Sequence, residues 1–125
     1  MVPDVRRPNE MRVSINAAGI IALNRKAWQE LGEPAAAIML YDEHNRVIGL
    51  KPVHPRVENA SPFRRKEENQ QRFIIRAIAL CTRLGINIGR TLIFRNPVIE
   101  DRVLVLSLRD TYEFTTRRKA HERDL

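Results

Sequence analysis

The central stretch of the sequence is G-I-I-A-L-N-R-K-A-W-Q-E-L-G-E-P, residues Gly19 to Pro34. Its apolar run Ile20–Leu23 has the length of a buried strand. Asn24 follows it, and an asparagine side chain can accept a hydrogen bond from a free N–H at a helix start. The sequence therefore predicts a short helix from about Arg25 to Leu31, ended by the glycine and proline that follow. A helix this short must be held by packing.

The segments on either side of this stretch have strand patterns. From Met11 to Asn16, apolar and polar residues alternate, as in a half-buried strand. Downstream, the apolar runs Ile38–Tyr41 and Val47–Lys51 flank a polar Asp42–Asn45, which predicts a β-hairpin. The first half of the chain is therefore expected to be rich in strands.

The second half begins after a proline-rich segment that predicts a linker. Apolar residues then recur at helical spacing, which predicts the longest helix of the chain, from about Arg65 or Glu67 to Leu84. Two further apolar runs, Thr91–Phe94 and Val103–Leu108, predict a second hairpin. Both halves would thus contain a helix ending in Leu-Gly, then strand, turn and strand.

The composition favours an anionic partner. The 125 residues include 22 Lys and Arg against 15 Asp and Glu, a formal net charge of +7. Such a balance makes polyanions the first partners to consider, through attraction and the release of counterions from phosphates. No apolar run approaches the roughly 20 residues of a membrane span, and the first ten residues lack the apolar core of a signal peptide. A cytoplasmic protein without a membrane partner is expected.

Residues with catalytic or metal-binding chemistry are scattered. His44, His54 and His121 are far apart, and no thiol or carboxylate accompanies them at ligand spacing. The single cysteine, Cys81, lies on the apolar face of the predicted long helix and is interpreted as a buried structural residue. Phosphate-binding glycine loops, nucleophile elbows and zinc-protease motifs do not occur. We therefore expect a non-catalytic protein without cofactor or metal; enzyme activity remains a hypothesis to which no residue is assigned.

The basic residues show more organisation. On the predicted long helix, Arg72, Arg76 and Arg83 would project within about 40° of one another at 100° per residue. Such a ridge could follow a phosphate backbone, or it could be a solvated face on which Glu68 pairs with Arg72. Further basic sets lie at the start of the short helix, Arg25 and Lys26, and in the tail, residues 117–119. Because aromatic residues are only 6% of the chain, backbone contact to a duplex is favoured over base stacking.

Residues Val13 to Pro52 resemble the AbrB-like (SpoVT/AbrB) swapped-hairpin family, small dimeric domains of bacterial transition-state regulators and many antitoxins. The resemblance rests on Gly19, the run I-I-A-L, the short helix ending at Leu31-Gly32, and the closing hairpin Y-D-E-H-N-R-V-I-G-L-K-P. It implies a homodimer in which hairpins of two subunits interleave. The residues that this packing would use are Ile21, Leu23, Trp28, Leu31, Ile38 and Leu40.

The chain departs from the family pattern at the positions that usually contact DNA. Family members usually have proline where Asn24 stands, and basic residues near the glycine and late in the short helix. Here Trp28 and Gln29 occupy the late positions, and the charges stand at Arg25 and Lys26. The resemblance thus implies a retained dimer fold with a weakened DNA-contacting surface.

These patterns together predict an α+β fold: an AbrB-like, β-rich N-terminal half, then a long helix packed on a second hairpin. The expected organisation is a flexible arm (1–10), an AbrB-like domain (11–52), a linker (53–64), a helix plus hairpin unit (65–108) and a charged tail (109–125).

The leading hypothesis for its function is a homodimeric DNA-binding regulator or antitoxin-like module, with a toxin or other protein as a further partner. The alternative is a protein–protein assembly module that uses the same dimer without nucleic acid. The candidate DNA contacts are Arg12, Arg25, Lys26, Arg46, Lys51, Arg72, Arg76 and Arg83.

Overall fold

The computed structural model describes residues 10–65 and 72–114 of the chain. Strands dominate these residues. They are β1 (Val13–Ile15), β2 (Ile20–Asn24), β3 (Ala36–Asp42), β4 (Val47–Val53), β5 (Ser61–Pro62), β6 (Arg64–Arg65), β7 (Arg72–Arg76), β8 (Leu92–Phe94), β9 (Val98–Glu100), β10 (Val103–Ser107) and β11 (Thr111–Glu113). Two short helices accompany them, α1 (Arg25–Glu30) and α2 (Ile78–Leu84). The predicted α+β class is wrong, because the described residues form a mainly β fold without a long helix.

The elements predicted around the short helix are confirmed. Strands β1 and β2, helix α1 and the hairpin β3–β4 all lie where the patterns place them. The Asn24 side-chain oxygen accepts hydrogen bonds from the backbone N–H of Ala27, at 2.9 Å, and of Arg12, at 3.0 Å. The Asn24 side chain therefore both caps α1 and links it to the residue that precedes β1.

The long helix predicted from about Arg65 or Glu67 to Leu84 is wrong. Arg65 belongs to β6, Arg72–Arg76 is β7, and only Ile78–Leu84 is helical; residues 66–71 lie outside the described residues. In β7, Phe73 and Ile75 are buried while Arg72 and Arg76 are exposed, which is the period of a strand. Pairing with β2 imposes the strand conformation on a segment whose apolar positions also suit a helix.

The second predicted hairpin is also more complex than expected. Its predicted arms contain β8 and β10, but β8 pairs with β1 and β11, whereas β10 pairs with β4 and β9. Strand β9 lies in the segment predicted as the turn. The predicted linker, residues 53–64, likewise contains β5, which pairs with β3.

The strands form two antiparallel sheets that enclose one core. The six-stranded sheet has the order β11-β8-β1-β2-β7-β6, and the five-stranded sheet has the order β5-β3-β4-β10-β9. The chain passes directly between the sheets from β5 to β6, from β8 to β9 and from β10 to β11. The two sheets are therefore joined by these three crossings and form two walls around the core. Buried residues of both walls form one cluster, with Ile21, Leu23 and Ile75 from one and Leu50, Leu104 and Leu106 from the other.

The two halves of the chain interleave inside this core. Strand β2 of the first half pairs with β7 of the second, with Ile21 opposite Ile75 and Leu23 opposite Phe73. Helix α1 adds Trp28, whose ring stacks on that of Phe73 with centroids 3.9 Å apart. Leu31 joins the same buried cluster. Of the residues predicted to pack between subunits, Ile21, Leu23, Trp28 and Leu31 thus have partners within their own chain.

We expect Gly19 to be the glycine least tolerant of a side chain. Its φ is +83°, and a Cβ there would lie 3.1 Å from Ile78 Cα; Gly32 has a φ of +96° with no atom within 4 Å of such a Cβ. Positive φ costs an alanine about 1 kcal/mol at either position, and the backbone contact adds about 1–3 kcal/mol at Gly19. Urea denaturation followed by Trp28 fluorescence should show Gly19→Ala losing about 2 kcal/mol or more, and the control Gly32→Ala about half of that. Equal losses would show that the contact with α2 is unimportant.

Candidate polyanion-binding face

The outer face of the six-stranded sheet carries a group of arginines. Side chains that are directly opposite in an antiparallel pair point to the same side of the sheet. Ile21, Leu23 and Ile75 fill the inner side, so the residues between them along β2 and β7 point outward. Arg72 and Arg76 are two of these outward residues, and both are exposed.

Two more arginines lie on the same side. Arg64 of β6 is opposite the outward residue Ile74 of β7. Arg12 precedes β1 and lies beside Asn24, which donates its backbone N–H to the Arg12 carbonyl at 3.0 Å. We name Arg12, Arg64, Arg72 and Arg76 the arginine face; all four are exposed.

The spacing on the arginine face follows from the strand order. Arg12 and Arg72 lie on either side of Asn24, so their Cα atoms are about 10 Å apart, two inter-strand spacings. Arg72 and Arg76 are separated by about 13 Å along β7, at 3.3 Å per residue. Arg64 lies diagonally about 8 Å from each of them. The four arginines therefore span on the order of 15 by 13 Å, three inter-strand spacings by four residues along β7.

One acid, Glu10, lies beside this surface, where its backbone carbonyl accepts a hydrogen bond from the Asn24 side chain at 2.9 Å; its carboxylate forms no ion pair with another described residue. The outward positions between the arginines are Ser14, Ile20, Ala22, Asn24 and Ile74. The ion pairs that the described residues form are Lys26–Glu30, Arg90–Glu113 and Arg95–Asp110, none of which uses the arginine face. The predicted pairing of Glu68 with Arg72 involves a residue outside the described ranges. Within these ranges the four guanidinium groups have no ion-pair partner, so they can pair with an anionic ligand.

The structure brings together only part of the predicted basic set. Arg12, Arg72 and Arg76 share the arginine face, but the ridge along one helix is wrong, because Arg83 lies in the last turn of α2. Lys26 pairs with Glu30 at 2.9 Å on α1, where Arg25 is the first residue. Arg46 lies in the β3–β4 turn and Lys51 in β4, on the other wall. The tail set, residues 117–119, lies outside the described residues.

Arg64 was not among the predicted contacts. It stands next to Arg65 in a proline-rich segment, and such a segment resembles a solvated linker. The two arginines have different roles, since the Arg65 guanidinium lies 5.7 Å from the centre of the Phe73 ring, on the opposite side of the sheet from Arg64. The signal that could have found Arg64 was the Arg-Arg dipeptide, because two successive residues of a strand point to opposite faces and one of the two arginines must then face outward.

The far edge of the same outer face carries an aromatic residue that composition alone did not suggest. Tyr112 of β11 is opposite Ile93, which is opposite Ser14, so Tyr112 points to the side of the arginine face. The Arg95 guanidinium lies 4.9 Å from the centre of the Tyr112 ring and 3.7 Å from a carboxylate oxygen of Asp110. At this edge the charge of Arg95 is therefore balanced by Asp110, whereas the arginines of the arginine face have no ion-pair partner among the described residues.

One nucleophilic side chain, Cys81, borders a depression in the described surface. No three His, Cys, Asp or Glu side chains among them are grouped as metal ligands. Cys81 borders a shallow depression of roughly 140 Å³ together with Thr82 and Asn87. Burial raises the pKa of the Cys81 thiol, which lowers the fraction of nucleophilic thiolate at neutral pH. In the part of the chain that the structure describes, this depression offers no base beside the thiol.

Comparisons with family models, with curated proteins and with solved structures found no match to this chain. Within residues 10–65 and 72–114, neither helix has the length and apolar character that crossing a membrane requires. Function is therefore inferred from the residues and geometry of the chain.

Proposed function

We propose that this chain is a non-catalytic, cytoplasmic DNA-binding protein, a transcriptional regulator or antitoxin-like module, and that the arginine face contacts the duplex backbone. One observation carries the proposal. Four exposed arginines from β6, β7 and the start of β1 share one side of a sheet, and among the described residues no ion pair neutralises them. A positive net charge of +7 adds a long-range attraction to the same ligand.

The chemistry of arginine favours phosphate as the contacted group. A guanidinium presents a planar fork of donors that binds phosphate oxygens in pairs. Spacings of about 10 and 13 Å correspond to roughly three to four nucleotides along one strand, at 3.4 Å of axial rise each. Adjacent arginines can therefore reach different phosphates. The outward residues between them are short or apolar and reach no base edge, so binding is expected to depend little on sequence.

A second function, that of a protein–protein assembly module, is favoured by a different surface. Leu40 and Val98 are exposed large apolar side chains on the outer face of the five-stranded sheet. This surface lies on the wall opposite the arginine face, so the two functions use separate residues.

The salt dependence of binding tests the DNA proposal. Four phosphate contacts give a slope of about −3.6 in log K against log salt, because each contact contributes about −0.9. Affinity for a random duplex should therefore fall about 100-fold between 50 and 200 mM salt. Fluorescence anisotropy with a labelled duplex measures this, with polyglutamate as a competitor. Absence of binding at low salt, or equal competition per charge by polyglutamate, would refute the proposal.

A further inference from the structure

The outer face of the five-stranded sheet is apolar across four strands. One row of directly opposite residues consists of Leu40, Gly49, Val105 and Val98, on β3, β4, β10 and β9. The outward apolar side chains of this face are Ile38, Leu40, Val47, Val98, Val103 and Val105. We name these six residues the valine face.

The valine face is uncovered within the described part of the chain. Leu40 is 45% exposed and Val98 40% exposed. A Cβ placed on Gly49 would meet Val103 at 3.1 Å and Leu40 at 3.6 Å as its nearest neighbours, both members of the face itself. The face spans about four strands by four residues, roughly 300 Å². An exposed apolar patch of this size is often functional.

Two opposite charges are placed symmetrically on this face. Val103 of β10 is opposite Glu100 of β9. On its other side, the β10–β4 ladder pairs Leu104 with Leu50, so its next step places Val103 opposite Lys51. Lys51 and Glu100 thus lie about 5 Å on either side of β10. Both are exposed, and neither forms an ion pair with another described residue.

We propose that the valine face binds a second copy of this chain, with a twofold axis parallel to β10. A rotation about that axis exchanges the positions of β4 and β9. Lys51 then faces Glu100 of the partner subunit, and the reciprocal pair forms at the same time. Val103 and Val105 lie on the axis and meet their own copies.

This dimer differs from the interleaved dimer that the family resemblance implies. The pairings β2–β7, β1–β8 and β4–β10 join the two halves of one chain, so interleaving is already achieved without a partner. The proposed dimer instead stacks two complete sheets face to face, about 10 Å apart. Its area, roughly 300 Å² per copy against about 800 Å² in standard interfaces, places it among weak, transient contacts.

Sedimentation velocity of the full chain from about 5 to 500 µM tests the dimer, with weight-average mass expected to rise towards twice the monomer value. Val105→Asp places two carboxylates against each other on the axis and should leave only monomer. Lys51→Glu and Glu100→Lys each create two like-charge contacts and should weaken dimerisation about 10-fold or more. The double variant Lys51→Glu, Glu100→Lys restores both pairs and should recover affinity to within about 3-fold.

The double variant keeps this test valid even if Val105→Asp fails to fold, because Lys51 and Glu100 are exposed and their exchange leaves the net charge unchanged. Arg72→Gln with Arg76→Gln should leave dimerisation unaltered, which separates this proposal from DNA binding. A chain that stays monomeric at all concentrations would overturn the proposal. So would a dimer that the single charge changes do not weaken, or one that the double variant does not restore.

Discussion

A chain in which Arg12, Arg64, Arg72 and Arg76 are all replaced by glutamine is expected to bind random duplex DNA about 100- to 1,000-fold more weakly at 50 mM salt. The reason is the loss of four charge-assisted contacts, each contributing about 1 kcal/mol at an exposed position. The dependence on salt should fall with it, by about one unit of slope for each arginine. Anisotropy titrations at several salt concentrations measure both quantities. Glutamine keeps part of the aliphatic stem and removes the charge, and the four positions are exposed, so the fold should be retained.

The matched control removes the same charge elsewhere. Arg46, Arg56, Arg83 and Arg102 are also exposed, but they lie outside the arginine face. Their combined replacement by glutamine should weaken binding only a few-fold, through the lower net charge. An equal loss in the two quadruple variants would show that DNA responds to total charge, and the arginine face would then have no special role.

Replacement of Trp28 by alanine is expected to lower the free energy of unfolding by about 3–5 kcal/mol. The Trp28 ring lies nearly parallel to that of Phe73, at 6° and 3.9 Å, and thereby joins α1 to β7 of the other half of the chain. Its indole N–H also donates to the Pro34 carbonyl at 3.1 Å. Both interactions disappear in Trp28→Ala, and a large cavity remains. Urea denaturation followed by circular dichroism measures the loss, because this variant lacks the fluorescent residue.

Trp28→Phe serves as the control, since phenylalanine preserves the stack on Phe73 and loses the hydrogen bond to Pro34. Its expected cost is about 1–2 kcal/mol. The denaturation midpoint of Trp28→Ala should also shift by the same amount at every protein concentration, because its partner Phe73 is in the same chain. A shift that shrinks or grows with concentration would instead place Trp28 in an interface between subunits.

The first half of the fold could be predicted because local signals agree with each other there. Asn24 caps α1, Gly32 has the positive φ expected after a helix end, and the polar Asp42–Asn45 segment forms the β3–β4 turn. Each of these depends on a few neighbouring residues. Such local chemistry is visible in a sequence, and here the predicted boundaries agree with the structure to within a few residues.

The second half shows why a periodic pattern can mislead. Phe73, Ala77, Leu80 and Cys81 are all buried, as the predicted helix required. They are buried by two elements, however, because β7 buries Phe73 and Ile75 at a spacing of two residues before α2 begins at Ile78. The position opposite Ile75 on β2, Ile21, lies more than fifty residues away in the sequence. A local window cannot contain that pairing, and β pairing overrides a moderate helical preference.

The candidate site was likewise predictable from the sequence only in part. Charge composition and the Arg72 to Arg76 spacing marked two of its arginines as exposed cations. Their association with Arg12 and Arg64 required the strand order β1-β2-β7-β6, which joins segments far apart in the chain. The excess of positive charge was therefore accessible from composition, whereas the surface that gathers these four arginines was not.

For this chain, amino-acid chemistry alone settled the positive charge, the turn and cap residues, and the short strands and helix of the first half. These properties depend on single residues or on neighbours within a few positions. The pairing of β2 with β7, the closure of two sheets around one core, and the separation of an arginine face from a valine face arose only on folding. They depend on contacts between residues distant in sequence, whose register is selected by the joint burial of both halves.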